Sequence, residues 1–130
     1  MTKEKAPGVK DWQNRPLDKW TATTFQTYLA AKVYEKYHVT YVPYRGYGAD
    51  IKLIKSNIEE MGNNLLKELI DEALREYQPT DKYPSLTFSF IHTFQKPRIL
   101  PRLQKKQQQA AKSEQYKQQT EMEPIDLDWI

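Results

Sequence analysis

The chain contains no cysteine, only two histidines and only four glycines, and no long apolar run in its 130 residues. Without cysteine there are no disulfides, no thiolate nucleophile and no cysteine-based zinc site. His38 and His92 stand far apart, with no carboxylate spacing around them that resembles a metal-ligand set, so no metal is expected. No stretch approaches the roughly 18 apolar residues that a membrane span requires. The opening Met-Thr-Lys-Glu-Lys is charged and has no apolar core of a secretion leader, so a cytoplasmic location and no membrane partner are expected. Serines are few, and none lies in a nucleophile-elbow context. Gly46 and Gly48 form Gly-x-Gly, but no phosphate-loop lysine follows. The acids Glu59, Glu60, Glu68, Asp71 and Glu72 read as solvated helix faces with lysines nearby, not as a catalytic dyad. No catalytic residue, no cofactor and no enzyme activity are expected.

Charge is present, and it is unevenly distributed. The formal charge is +3. Glu121, Glu123, Asp126 and Asp128 have no base among them, so residues 1–120 carry +7. Between positions 96 and 117 stand Lys96, Arg98, Arg102, Lys105, Lys106, Lys112 and Lys117, opposed only by Glu114. A basic stretch before an acidic end suggests nucleic acid and protein partners. Solvated charge that keeps a small protein soluble is the competing explanation.

Apolar periodicity predicts a mainly α fold. Residues 1–17 read as an irregular arm broken by Pro7, Gly8 and Pro16. A first helix fits Thr21 to Tyr37, with Phe25, Tyr28, Leu29, Val33 and Tyr37 on one face. Thr21 is its expected cap, and Trp20 stands where a hydrophobic staple packs. The β-branched and aromatic segment 38–44 is expected to be extended, and 45–48 a flexible turn. Asp50 is the expected N-cap of a second helix carrying Ile51, Ile54, Ile58 and Met61, stopped by Gly62. Asn64 opens a third, with Leu65, Leu66, Leu69, Ile70, Ala73, Leu74 and Tyr77 buried. Residues 78–84 form a loop. Ser85 then caps a fourth helix with Leu86, Phe90 and Phe94 on one face, or a strand in which Leu86, Phe88 and Phe90 alternate; helix is preferred, ended by Pro97 and Pro101. The helical domain spans 18–103. Residues 104–120 have helix-forming composition but no apolar stripe, and read as a tether, partly helical at best. Residues 121–130 form an acidic–apolar interaction peptide.

Two groups of residues carry the functional expectation. Tyr34, Tyr41, Tyr44, Tyr47 and Arg45 are candidates for exposure near the turn, and rings interleaved with cations suit single-stranded nucleic acid. Tyr44, Arg45 and Tyr47, together with Lys96, Arg98, Arg102, Lys105 and Lys106, form the predicted nucleic-acid surface; tyrosines that serve as core and rim are the alternative. The second group is Asp126, Asp128, Trp129 and Ile130, in which a large aromatic and steering acids suit capture by a partner protein. Packing of Trp129 and Ile130 on the parent domain or a neighbouring subunit is the other reading.

A Gln-rich linker, then Glu121, Glu123, Asp126 and Asp128, then Trp129-Ile130, resembles the C-terminal tail of bacterial single-stranded DNA-binding proteins, which docks on replication and repair enzymes. That family closes on Pro-Phe, whereas here Pro124 comes early. Trp20, Phe25, Tyr28, Tyr37, Tyr41, Asp50, Lys52, Lys55, Gly62, Leu66, Ile70 and Asp71 resemble a small helical module of phage and mobile-element accessory proteins. Together the resemblances imply a non-enzymatic accessory of phage-type DNA replication or transcription, binding DNA and a replication or transcription protein. The alternative is a protein-binding modulator of a host enzyme that does not bind nucleic acid. Self-association through the tyrosine-rich face comes third.

Overall fold

A computed structural model of the protein describes residues 8–122, and side chains as far as residue 115. The described residues are mainly helical and contain no strand. After a short 3-10 turn (Leu17–Lys19) come α1 (Ala22–Tyr37), α2 (Tyr47–Glu76), a short α3 (Phe88–Phe90), a π turn (Ile91–Gln95) and α4 (Lys96–Met122). The last three elements follow one another directly, so beyond the 3-10 turn the described residues form three helical stretches.

Helix α1 starts as its sequence dictates. Thr21 and Thr24 bond each other's backbone N–H in a reciprocal capping box, and the Trp20 ring meets Phe25 edge-on at 5.0 Å, closing the staple. Its buried face is Phe25, Tyr28, Leu29 and Val33. His38 ends it in the left-handed conformation. The Tyr28 hydroxyl donates to the Asp71 carboxylate on α2, which also receives Lys67. Burial, reinforced by that carboxylate, pushes the Tyr28 phenol well above its usual range. Burial also raises Tyr37, to about 12. Trp12 and Leu17, placed by sequence in the arm, pack against the core, and Trp12 lies edge-on to Tyr28 at 5.0 Å.

Gly62 interrupts α2 with φ 82 and ψ 166, a region reserved almost entirely for glycine. The break turns Asn63 toward the entering chain, where its amide donates to the carbonyls of Leu17 (2.7 Å) and Trp20 (3.0 Å). Beyond it, Leu65, Leu66, Leu69, Ile70, Ala73 and Leu74 are buried as expected; before it, Ile54 is buried while Ile51, Ile58 and Met61 are only half-buried.

Four expectations are corrected. Asp50 is not the cap of α2: Gly46 is, and Asp50 sits buried in the first turn. There it accepts hydrogen bonds from Gln26 and Tyr41. Tyr47 and Gly48 accordingly belong to the helix and not to a flexible turn. Thr87, not Ser85, caps α3, accepting from the Phe90 N–H. Pro97 and Pro101 do not end the last helix. A proline ring clashes with the carbonyl four residues back and donates no bond. The π turn just ahead, where the Lys96 N–H reaches back five residues to Ile91, widens the ladder where Pro97 enters.

Helix also continues where a tether was expected, to Met122. Residues 104–115 are exposed, so packing does not hold them. Nucleation is the costly step of helix formation, and adding Gln, Lys and Ala to a helix already fixed by Ile99 and Leu103 avoids it. Helix α4 runs antiparallel to the second half of α2. Arg98 pairs with Glu76, Arg102 with Glu72 and Glu76, and Gln108 and Ala111 flank Met61 and Leu65.

Candidate functional site

A buried phenol organises one end of the molecule. Tyr41 is only 3% exposed, which corrects its placement among the exposed rings. Its hydroxyl donates to Asp50 Oδ2 at 2.9 Å and accepts from the Phe88 N–H at 3.0 Å. One side chain therefore ties the loop after α1 to the start of α2 and the start of α3. Gln26 completes the set by donating to the same carboxylate oxygen at 2.9 Å. Burial raises the Asp50 carboxyl above its ordinary value, and the bonds from Gln26 and Tyr41 only partly oppose that shift. Burial, with Asp50 beside it, likewise pushes the Tyr41 phenol far up. This cluster is structural: it fastens the loop after α1 to the first turn of α2 and to the start of α3.

On that platform lies an open groove of about 450 Å³. The loop after α1 contributes Val42 and Tyr44, the loop before α3 contributes Lys82, Tyr83 and Pro84, and α3 with the π turn contributes Phe90 and Phe94. Four of these apolar side chains are left in solvent: Tyr44 is 84% exposed, Phe94 65%, Val42 64% and Tyr83 58%. The groove is nevertheless well supported. Tyr77 donates to the Tyr83 carbonyl at 2.6 Å, and Thr80 and Tyr83 exchange two bonds of 3.0 Å across the loop. Edge-on contacts link Tyr37 to Tyr77 and Tyr77 to Phe90, and Phe90 meets Phe94 at 5.0 Å. The extra residue in the π turn changes which side chains face the core there. Ile91 and Gln95 are buried while Phe94, expected to share a buried face with Leu86, points outward. Such turns occur frequently at functional sites.

No family model, curated protein or solved structure matches the chain. The site is therefore read from its own chemistry. Among the described residues no three His, Cys, Asp or Glu side chains are grouped to hold a metal, and no described helix is long and apolar enough to cross a membrane.

The predicted site residues divide. Tyr44 lines the groove, Arg45 is exposed next to it in the chain, and both line a small adjoining pocket. Tyr47 is half-exposed and donates to the Tyr41 carbonyl at 2.8 Å. None of the five basic residues lines the groove. Lys96 is largely covered, bonding Asn57 Oδ1 and Glu60. Arg98 and Arg102 pair with the acids of α2; although burial works the other way, the Arg102 bond and both guanidinium charges hold Glu76 below the usual carboxylate range. Desolvation, with Lys96 close by, lowers His92. Lys105 and Lys106 are exposed further along α4. Asp126, Asp128, Trp129 and Ile130 lie outside the described residues.

Sequence reasoning missed Val42, Lys82, Tyr83, Phe90 and Phe94 as site residues. An aromatic before Pro84 in a polar loop was an available signal. The register change that turns Phe94 outward was not.

Proposed function

We propose that this chain is a non-enzymatic, protein-binding accessory whose receptor site is the aromatic groove between the loop after α1, the loop before α3 and the π turn. The observation that carries the reading is the group of four large apolar side chains, Val42, Tyr44, Tyr83 and Phe94, held in solvent around one concavity by a hydrogen-bonded framework. Exposed apolar residues scattered singly need no explanation, whereas a contiguous set around a groove marks an interaction surface. Aromatics suit the centre of such a surface because they bring large contact area with few rotamers to freeze. The pairing of Lys96, Arg98 and Arg102 with Glu60, Glu72 and Glu76 favours protein over nucleic acid, because those cations already have counter-charges. Phage-type DNA replication or transcription remains the setting that the sequence resemblances propose.

The test is selection of short random peptides on the wild-type chain, counter-screened against Phe94→Glu. Peptides that bind the first and lose at least about tenfold in affinity on the second support the groove. If no selected peptide discriminates between the two proteins, the reading falls.

A second reading keeps the nucleic-acid surface, on the observation that Tyr44, at 84% exposure, stands beside Arg45. Stacking on Tyr44 with neutralisation by Arg45, Lys105 and Lys106 would give single-stranded DNA binding that weakens steeply with salt. Titration of an oligonucleotide across a salt series decides it, and absence of salt-dependent binding eliminates it.

A further inference from the structure

We infer that the groove receives the acidic–apolar segment 123–130 of a second copy of this chain, so that molecules join head to tail. The inference rests on the groove being a protein-binding site and names its occupant.

Complementarity is the first argument. In 123–130, Ile125, Leu127 and Trp129 alternate with Asp126 and Asp128. An extended strand projects alternate residues to opposite faces, so residues 125–129 bound in that conformation would set Ile125, Leu127 and Trp129 on one face and Asp126 and Asp128 on the other. The groove offers apolar walls from Val42, Tyr44, Tyr83, Phe90 and Phe94. Among the described residues Lys82 is the only charged one lining it, and Arg45 stands beside Tyr44 at its edge. Thus the apolar face of the segment meets aromatic walls, and its acids meet the basic edge. A volume of about 450 Å³ is in the range that encloses a small ligand, enough for a tryptophan and a neighbouring side chain but not for a folded element.

Reach decides between the chain's own segment and another copy's. The groove lies at the start of the last helical stretch, on Phe90 and Phe94, immediately before Lys96. Helix α4 then leads away along α2: Arg98 lies beside Glu76, and Ala111 lies beside Met61 and Leu65. Its 27 residues span about 40 Å at 1.5 Å per residue. From Met122 to Trp129 a fully extended chain covers at most about 25 Å. Trp129 therefore cannot return to the groove of its own molecule, but it can enter the groove of another. Charge assists the encounter, because the four acids of 121–130 face a remainder carrying +7. The contact is heterologous, leaving one groove and one segment unfilled in each dimer, so association continues to rings or open chains.

The test uses the full chain in sedimentation velocity from about 5 to 500 μM, a range that brackets micromolar affinity. Wild type is expected to sediment faster as concentration rises. Phe94→Glu, which loses the groove, and Trp129→Glu, which loses the segment, are each expected to stay monomeric. Mixed in equal amounts, they should form a 1:1 dimer that grows no further. A labelled peptide of residues 121–130 should bind the wild-type chain and bind Phe94→Glu at least about tenfold more weakly. A wild-type chain that remains monomeric, association that survives either substitution, or a mixture that stays monomeric overturns the inference. If selected peptides occupy the groove while 121–130 does not, this inference alone falls; if neither binds, the groove is not a receptor site.

Discussion

Replacing Tyr41 by Phe removes a single oxygen at the point where three elements meet. The ring is kept, so apolar burial changes little and the effect is confined to hydrogen bonds. Two are lost: the bond from the hydroxyl to Asp50 Oδ2 and the bond from the Phe88 N–H to the hydroxyl. A buried N–H left without an acceptor costs about 1–3 kcal/mol, and a typical hydrogen bond contributes about 0.5–1.5 kcal/mol. Gln26 still donates to Asp50, and some relaxation will occur, so the expected loss is about 2–4 kcal/mol. That is a large share of the 5–15 kcal/mol typical of a whole domain. Urea unfolding followed by far-UV circular dichroism measures it, with Tyr47→Phe as the control. Tyr47 also donates a hydrogen bond in this region, but from a half-exposed position where water replaces the partner, so its loss should be under about 1 kcal/mol. If Tyr41→Phe costs no more than Tyr47→Phe, the buried phenol is not what ties the loop and α3 to α2.

Asp50→Asn should reveal the burial of that carboxyl through pH. The folded-state pKa of Asp50 is raised by burial, so its contribution favours the protonated form and is lost as pH rises through the folded value. Relative to wild type, the Asn variant should therefore gain stability in thermal unfolding as pH rises above the ordinary carboxylate range, and a difference that is flat with pH refutes the assignment. Gly62→Ala should cost about 1–3 kcal/mol, read by the same method. A Cβ there would meet nothing within 4 Å, so the whole penalty is backbone strain at φ +82. Arg102→Ala removes both of its contacts with α2. The group is exposed, so the loss should stay below about 1 kcal/mol and shrink with added salt.

Much of the fold was legible because its signals are local. Thr21 with Trp20 and Phe25 announces a helix start through side chains a few residues apart, and Gly62 announces a break because φ above zero is open to few other residues. The apolar stripe from Leu65 to Leu74 has one period and one burial solution. Reading failed where a distant partner decided the outcome. Asp50 has the chemistry of a cap, but Tyr41 and Gln26 claim it, and neither contact is visible in the residues around position 50. Pro97 and Pro101 read as stops because a proline opposes an α-helical ladder; here a π turn comes first, and nothing in Ile91–Gln95 announces it by composition. Residues 104–122 lack an apolar stripe, yet they continue a helix whose nucleation has been paid for upstream.

The same division explains the site. Tyr44 and Arg45 were identified because a turn rich in glycine and aromatics exposes its side chains whatever surrounds it. Tyr83 and Phe94 were not, because their exposure depends on tertiary register. Phe94 fits the buried face of a regular helix with Leu86 and Phe90, and only the extra residue of the π turn carries it outward. The basic row shows a related effect: Lys96, Arg98 and Arg102 look unopposed along the chain, while their counter-charges, Glu60, Glu72 and Glu76, lie at least twenty positions earlier on α2. Linear charge measures what a segment offers in isolation, and an antiparallel helix pair cancels part of it. The apolar groove has no such internal partner among the described residues. Its aromatics are held out of the core by a framework that uses Tyr41, Tyr77 and Thr80 to fix them there, and loosening that framework should therefore weaken peptide capture along with stability.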